Sequence, residues 1–120
     1  MTKTSKTLQQ LFDKARKNGE SNKNGRIIER DFGYVYKGDL REQWHVVDNG
    51  NKFELRHWGT TILSLKNGAI VDIYGESSSD RDALNQAFDY LNTNCHAHFY
   101  PSRSELEVHI NGTDELMVTV

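Results

Sequence analysis

Leu8, Leu11, Phe12 and Ala15 recur at i, i+3, i+4 and i+7, the spacing of one helix face, so the pattern predicts a short amphipathic helix over about residues 6–17 with Ser5 or Thr7 as its cap. From Asp31 to Tyr74 the period falls to two. Phe32/Tyr34/Tyr36, Phe53/Leu55/His57, Ile62/Ser64 and Ile70/Asp72/Tyr74 alternate with their neighbours, as strands require. Asn49-Gly50 and Asn67-Gly68 lie between such runs and tolerate the positive φ of tight turns, which predicts a meander, and Gly59 marks a bulge or bend. A second, stronger helix is expected over 80–92, with Ser79 as N-cap, Asp80 and Asp82 in the first turn, and Leu84, Ala87, Phe88 and Leu91 as its apolar face. Three short strand candidates follow at 97–100, 106–110 and 116–120. The expected fold is α+β: an antiparallel β-meander with one main helix packed on the sheet, its stripe set against Phe53, Leu55, Leu63 and Ile73, plus a short N-terminal helix.

Between the first helix and the first strand, Lys14–Arg30 holds two Asn-Gly pairs and almost no apolar residue before Ile27, and reads as a solvated linker. Two units are therefore expected: 1–30, basic helix and linker, and 31–120, a single α+β domain. Charge sharpens that division. Residues 1–30 carry eight Lys/Arg against three Asp/Glu, and residues 31–120 carry seven against fourteen, so a segment at +5 precedes a body at −7. The 120 residues suffice for one core, and the single Cys excludes an intrachain disulfide framework. No apolar run approaches a membrane span and the start lacks the apolar stretch of a signal peptide, so a soluble cytoplasmic protein without membrane contact is expected.

Chemistry is sparsely marked. The sequence has no Walker loop, GxGxxG, GxSxG, HExxH, CxxC or EF-hand pattern, and no catalytic residue, cofactor or metal is expected. Cys95-His96-Ala97-His98 is the densest group of potential ligands, with His57 or His109 as a third, but it lacks the spacing of a structural zinc site. The loop Tyr74–Asp82 has the Gly and Ser of an anion-holding helix N-terminus, yet three carboxylates beside it favour simple capping. Two surfaces remain. Lys14, Arg16, Lys17, Lys23, Arg26 and Arg30 could neutralise phosphates of a nucleic acid, whereas Glu76, Asp80, Asp82 and Asp89 could present a negative face to a basic protein groove.

Arg56-His57-Trp58-Gly59-Thr60-Thr61-Ile62-Leu63, Tyr74-Gly75-Glu76-Ser77-Ser78-Ser79-Asp80-Arg81-Asp82-Ala83-Leu84-Asn85 and Phe99-Tyr100-Pro101-Ser102-Arg103 together resemble a family of small proteins of bacteriophages and mobile elements of Gram-positive bacteria. The resemblance covers about residues 53–103 and leaves out the basic segment and Glu105–Val120. It implies a strand–strand–helix–strand core and transfers no catalytic residue. It also implies a setting in which small acidic domains act by binding, so that a non-enzymatic inhibitor of a host nucleic-acid-targeting defence protein, such as a CRISPR effector, is the expected function. A nucleic-acid-binding accessory protein is the alternative.

Overall fold

The stripe at Leu8, Leu11, Phe12 and Ala15 does form a helix, α1 (Lys3–Asn18), and all four side chains are buried. Arg16 and Lys17 in its last turn suit the negative end of the helix dipole. Gly19 ends it at φ +94, and its N–H donates to the Ala15 carbonyl at 2.7 Å, a left-handed cap that a Cβ would strain. The structure, a computed structural model, describes residues 3–31, 34–112 and 116–119, and the side chains of 6–26 and 38–112.

After α1 the chain enters β1 (Glu20–Asp31), paired antiparallel with β2 (Tyr34–Asp48). The stretch expected as solvated linker is therefore the end of a helix and an edge strand. Asn18-Gly19 is the helix stop, and Asn24-Gly25 follows a register shift after Lys23. A polar strand is tolerated here because its neighbours hold it: the Ser21 hydroxyl donates to the Leu11 carbonyl at 2.6 Å, and the Asn22 amide to Glu42 at 3.0 Å.

The meander continues through β3 (Lys52–His57), β4 (Thr60–Lys66) and β5 (Ala69–Ile73), giving a five-stranded sheet in chain order. Helix α2 (Ser78–Tyr90) follows, then β6 (Cys95–Tyr100), a single 3₁₀ turn over Pro101–Arg103, β7 (Glu105–Ile110) and β8 (Leu116–Thr119), whose three strands form a second antiparallel sheet. The architecture is α+β, and the C-terminal strands make their own sheet instead of extending the first.

Leu84, Ala87 and Phe88 are fully buried and Asp89 is exposed, as the periodicity requires, while Leu91 is only half-buried. The helix packs chiefly on β6 and α1 and only lightly on β4. The Asn85 amide fixes the first contact by pairing with both backbone groups of Ala97, accepting from N–H at 2.7 Å and donating to the carbonyl at 3.0 Å. Towards α1, the Phe12 ring lies 5.1 Å from Tyr90 and 5.8 Å from Phe53, and the Tyr90 hydroxyl donates to Asp13 at 2.9 Å. The α1 stripe thus shares one buried cluster with both sheets and α2. No helix among the described residues is long and apolar enough to cross a membrane.

Candidate functional site: an aromatic recess over a buried His–Asp pair

His57 ends β3 and pairs with Thr60 at the start of β4, leaving Trp58-Gly59 as a two-residue turn at φ +51 and +83. Both signs are those of the type I′ hairpin turn, so the residue expected to be a bulge is the second position of a turn. The Trp58 N–H donates to the Gln43 carbonyl at 2.8 Å. Trp44 of β2 lies opposite His57, and the two rings stack at 4.0 Å and 6°.

From the far side of the sheet, Tyr74, Gly75 and Glu76 carry the chain from β5 to α2. The N-cap is Ser77 and not Ser79: its hydroxyl accepts from the Asp80 N–H at 3.1 Å. Asp80 in turn accepts the Glu76 N–H at 3.0 Å through Oδ2, which ties the residue before the cap to the first turn of the helix. The other oxygen, Oδ1, lies 2.7 Å from His57 Nδ1. Both side chains are buried. Burial pushes the Asp80 carboxyl up, but the bonds from His57, Glu76 and Ser77 outweigh it and hold the group below the usual carboxylate range. A carboxylate at Oδ1 makes Nδ1 a protonated nitrogen, and Nε2 is the ring nitrogen left over. No bond to Nε2 is made among the described residues, and no buried side-chain nitrogen or oxygen there lacks a partner, so Nε2 is the edge of the ring that water reaches.

His57 lies on the wall of a recess of about 150 Å³ whose walls come entirely from residues 57–62 and 74–80. Trp58 and Tyr74 are exposed on it at 38% and 39%, unlike the sheet's core aromatics. The Tyr74 hydroxyl donates to Glu76 at 2.9 Å, and that carboxylate raises the phenol's pKa above its ordinary value. The sequence offers His57 as a strand residue, a third metal ligand and part of the H-W-G-T run, and no motif marks its pairing with Asp80, 23 residues away.

The sequence-derived contact residues fall in different places. Of the acidic four, Glu76 is exposed at the mouth of the recess, Asp82 is exposed and paired with Arg81 at 2.9 Å, and Asp89 is exposed seven residues further along the same helix face. Asp80 is not a surface contact, because both its oxygens are spent inside. Of the basic set, Lys14, Lys17, Lys23 and Arg26 are exposed on α1 and β1. Arg16 lies 3.8 Å from Asp48 and its guanidinium caps the Tyr90 ring at 4.5 Å. The Arg30 side chain lies outside the described residues.

His96 and His98 do share the outer face of β6, His96 stacked on His109 at 5.6 Å, but no group of three His, Cys, Asp or Glu among the described residues could hold a metal. Burial raises the Cys95 thiol's pKa, the opposite of nucleophile activation. At the other end of the first sheet, Asp48–Phe53 and Gly68 border a larger cleft of about 570 Å³, but its cations are neutralised, Arg16 by Asp48 and Lys52 by Glu54 at 2.9 Å. The chain matches no protein-family model, no curated protein and no solved structure.

Proposed function

We propose that the protein is a non-enzymatic, phage-type inhibitor that binds a host nucleic-acid-targeting defence protein of the CRISPR-effector kind, through the face formed by the recess and the start of α2. The observation that carries this reading is the exposure of Trp58 and Tyr74 beside Glu76, since large aromatic side chains left out of the core next to charge are the usual anchors of protein interfaces. Glu76, Asp82 and Asp89 add negative potential, which speeds encounter with a basic groove and competes with nucleic acid for it. The resemblance of residues 53–103 to phage-encoded proteins supports the choice of partner.

The test is retention of candidate effectors on the immobilised protein together with their nuclease activity. Reversing Glu76, Asp82 and Asp89 to Lys should weaken retention mostly through association rate and lose its effect in high salt. Retention of no effector, with nuclease activity unchanged, ends the reading.

The exposure of Lys14, Lys17, Lys23 and Arg26 keeps a nucleic-acid-binding accessory role as the second reading. Deleting the segment would remove Leu8, Leu11, Phe12 and Ala15 from the core, so the informative change is Lys14, Lys17 and Lys23 to Gln. A salt-steep gel shift that this triple change abolishes supports the role, and no shift at low salt removes it.

A further inference from the structure

The hydrogen-bonding capacity left over in the recess is almost all of one kind. Asp80 consumes the Nδ1–H of His57, which leaves Nε2 as its one unused ring nitrogen. Glu76 consumes the Tyr74 hydroxyl proton, which leaves the phenol oxygen an acceptor and frees the second carboxylate oxygen. The hydroxyls of Thr60 and Ser77, also on the wall, turn to either role. Two carboxylates stand against one imidazole, and two aromatic side chains form part of the wall. A phosphate has poor prospects here although a helix begins at the recess, because Asp80 already sits over that helix start, taking the Glu76 N–H, and Glu76 would repel an anion. His57, 9% exposed and stacked on Trp44, also lines the recess.

We infer that this recess is a receptor for a guanidinium group, the head of an arginine side chain, with the cation between Trp58 and Tyr74 and its N–H groups donating to the Glu76 carboxylate. A guanidinium is flat, carries five donors and no acceptor, and stacks on indole, which matches acceptors and aromatic faces at once. The recess, about 150 Å³, has room for such a head. The inference deepens the inhibitor reading by naming what a basic partner would insert, and it rests on that reading for the identity of the partner alone.

The full chain, labelled with nitrogen-15, is titrated by NMR with N-acetyl-arginine amide, with the uncharged isostere N-acetyl-citrulline amide, and with sodium phosphate. Saturable shifts of the Trp58 indole N–H and of the Thr60, Glu76 and Ser77 amides are expected with arginine, about tenfold weaker binding with citrulline, and none with phosphate. Glu76→Gln should weaken arginine binding several-fold. Trp58→Asn should lose it with the fold kept, because Asn-Gly is the preferred pair for this turn and the Asn67 and Gly68 amides report an intact sheet. Saturation by phosphate, equal binding of citrulline, no saturable shift with arginine, or undiminished binding by Trp58→Asn overturns the inference. Arginine binding without retention of any effector leaves the receptor standing and ends the inhibitor reading. Effector retention that Trp58→Asn does not reduce does the reverse.

Discussion

Strand β4 begins after one two-residue turn and ends in another. At its end, Asn67 and Gly68 take φ +52 and +80 between the paired residues Lys66 and Ala69. At its start, Trp58 and Gly59 take nearly the same angles, +51 and +83, between His57 and Thr60. Asn enters the left-handed region at low cost, but a bulky side chain there costs roughly 1–2 kcal/mol. Trp58 does not offset this by full burial, since it remains 38% exposed. The surroundings differ in the same sense. Charges at the Asn67 end are partly solvated, the Arg16 side chain of the Arg16–Asp48 pair being 60% exposed, whereas His57 and Asp80 beside Trp58 are shielded at 9% and 8%. One end of the sheet is built from residues that suit their positions locally. The other holds a strained tryptophan over a buried pair, the kind of cost that collects at binding sites.

If the difference between the two ends is real, removing one carboxylate from each should separate them most. Asp80→Ala leaves the His57 Nδ1–H and the Glu76 N–H without their acceptor and should cost about 3 kcal/mol, the scale for orphaning buried polar partners. Asp48→Ala loses a long, half-solvated contact with Arg16 and should cost under about 1 kcal/mol. Urea denaturation of both variants measures the gap, and equal losses would erase the comparison. The pH dependence has a definite sign. Because the folded Asp80 carboxyl titrates below its ordinary value of about 3.9, its contribution is fully present above that pH and is lost as pH falls through the lower, folded value. The part of the Asp80→Ala deficit that comes from the carboxylate's own titration should therefore shrink in acid below its ordinary range.

The turns give the next effect. Asn67→Trp imposes on the relaxed end the strain of the other and should destabilise by about 1–2 kcal/mol. Trp58→Asn should raise stability by up to about 1 kcal/mol, the relief of strain less the packing lost against His57, whose ring lies 6.0 Å away. A clear loss of stability in Trp58→Asn would mean that the indole is held there for the fold and not for a ligand.

The same contrast explains what could be read from the sequence. Both helices were legible because their apolar residues keep a 3.6 period, and the Asn67-Gly68 turn because its residues are the ones the backbone geometry demands. Strand β1 was not, because Asn18-Gly19 and Asn24-Gly25 look like loop chemistry, and its place depends on pairing with β2 and on the Ser21–Leu11 bond. The cap of α2 was placed two residues late among Ser77, Ser78 and Ser79, which only the bond between Ser77 and Asp80 distinguishes. A cap at Ser79 makes Asp80 a first-turn surface charge, whereas the cap at Ser77 makes it the residue that joins β3 to α2. The recess itself needed the register His57–Thr60 and the return of the chain from β5, neither of which a local pattern records.

The smallest effects belong to the outer face of α2, which should be silent if the energetic contrast is confined to the sheet ends. Asp89 is exposed one position before the helix's last residue, and its backbone carbonyl, not its side chain, accepts from Asn92 at 3.2 Å. A carboxylate near a helix C-terminus opposes the dipole, so Asp89→Ala should be neutral or stabilising by less than about 0.5 kcal/mol. Asp82, past the first turn that Ser77 caps, bonds Arg81 at 3.0 Å. Asp82→Ala should therefore cost a few tenths of a kcal/mol, about the worth of an exposed pair. Opposite signs in paired thermal melts at low salt, converging as salt screens both charges, are the expected result. A loss above about 1 kcal/mol in either variant would place that carboxylate in a buried network like that of Asp80, and would remove it from the surface offered to a basic partner.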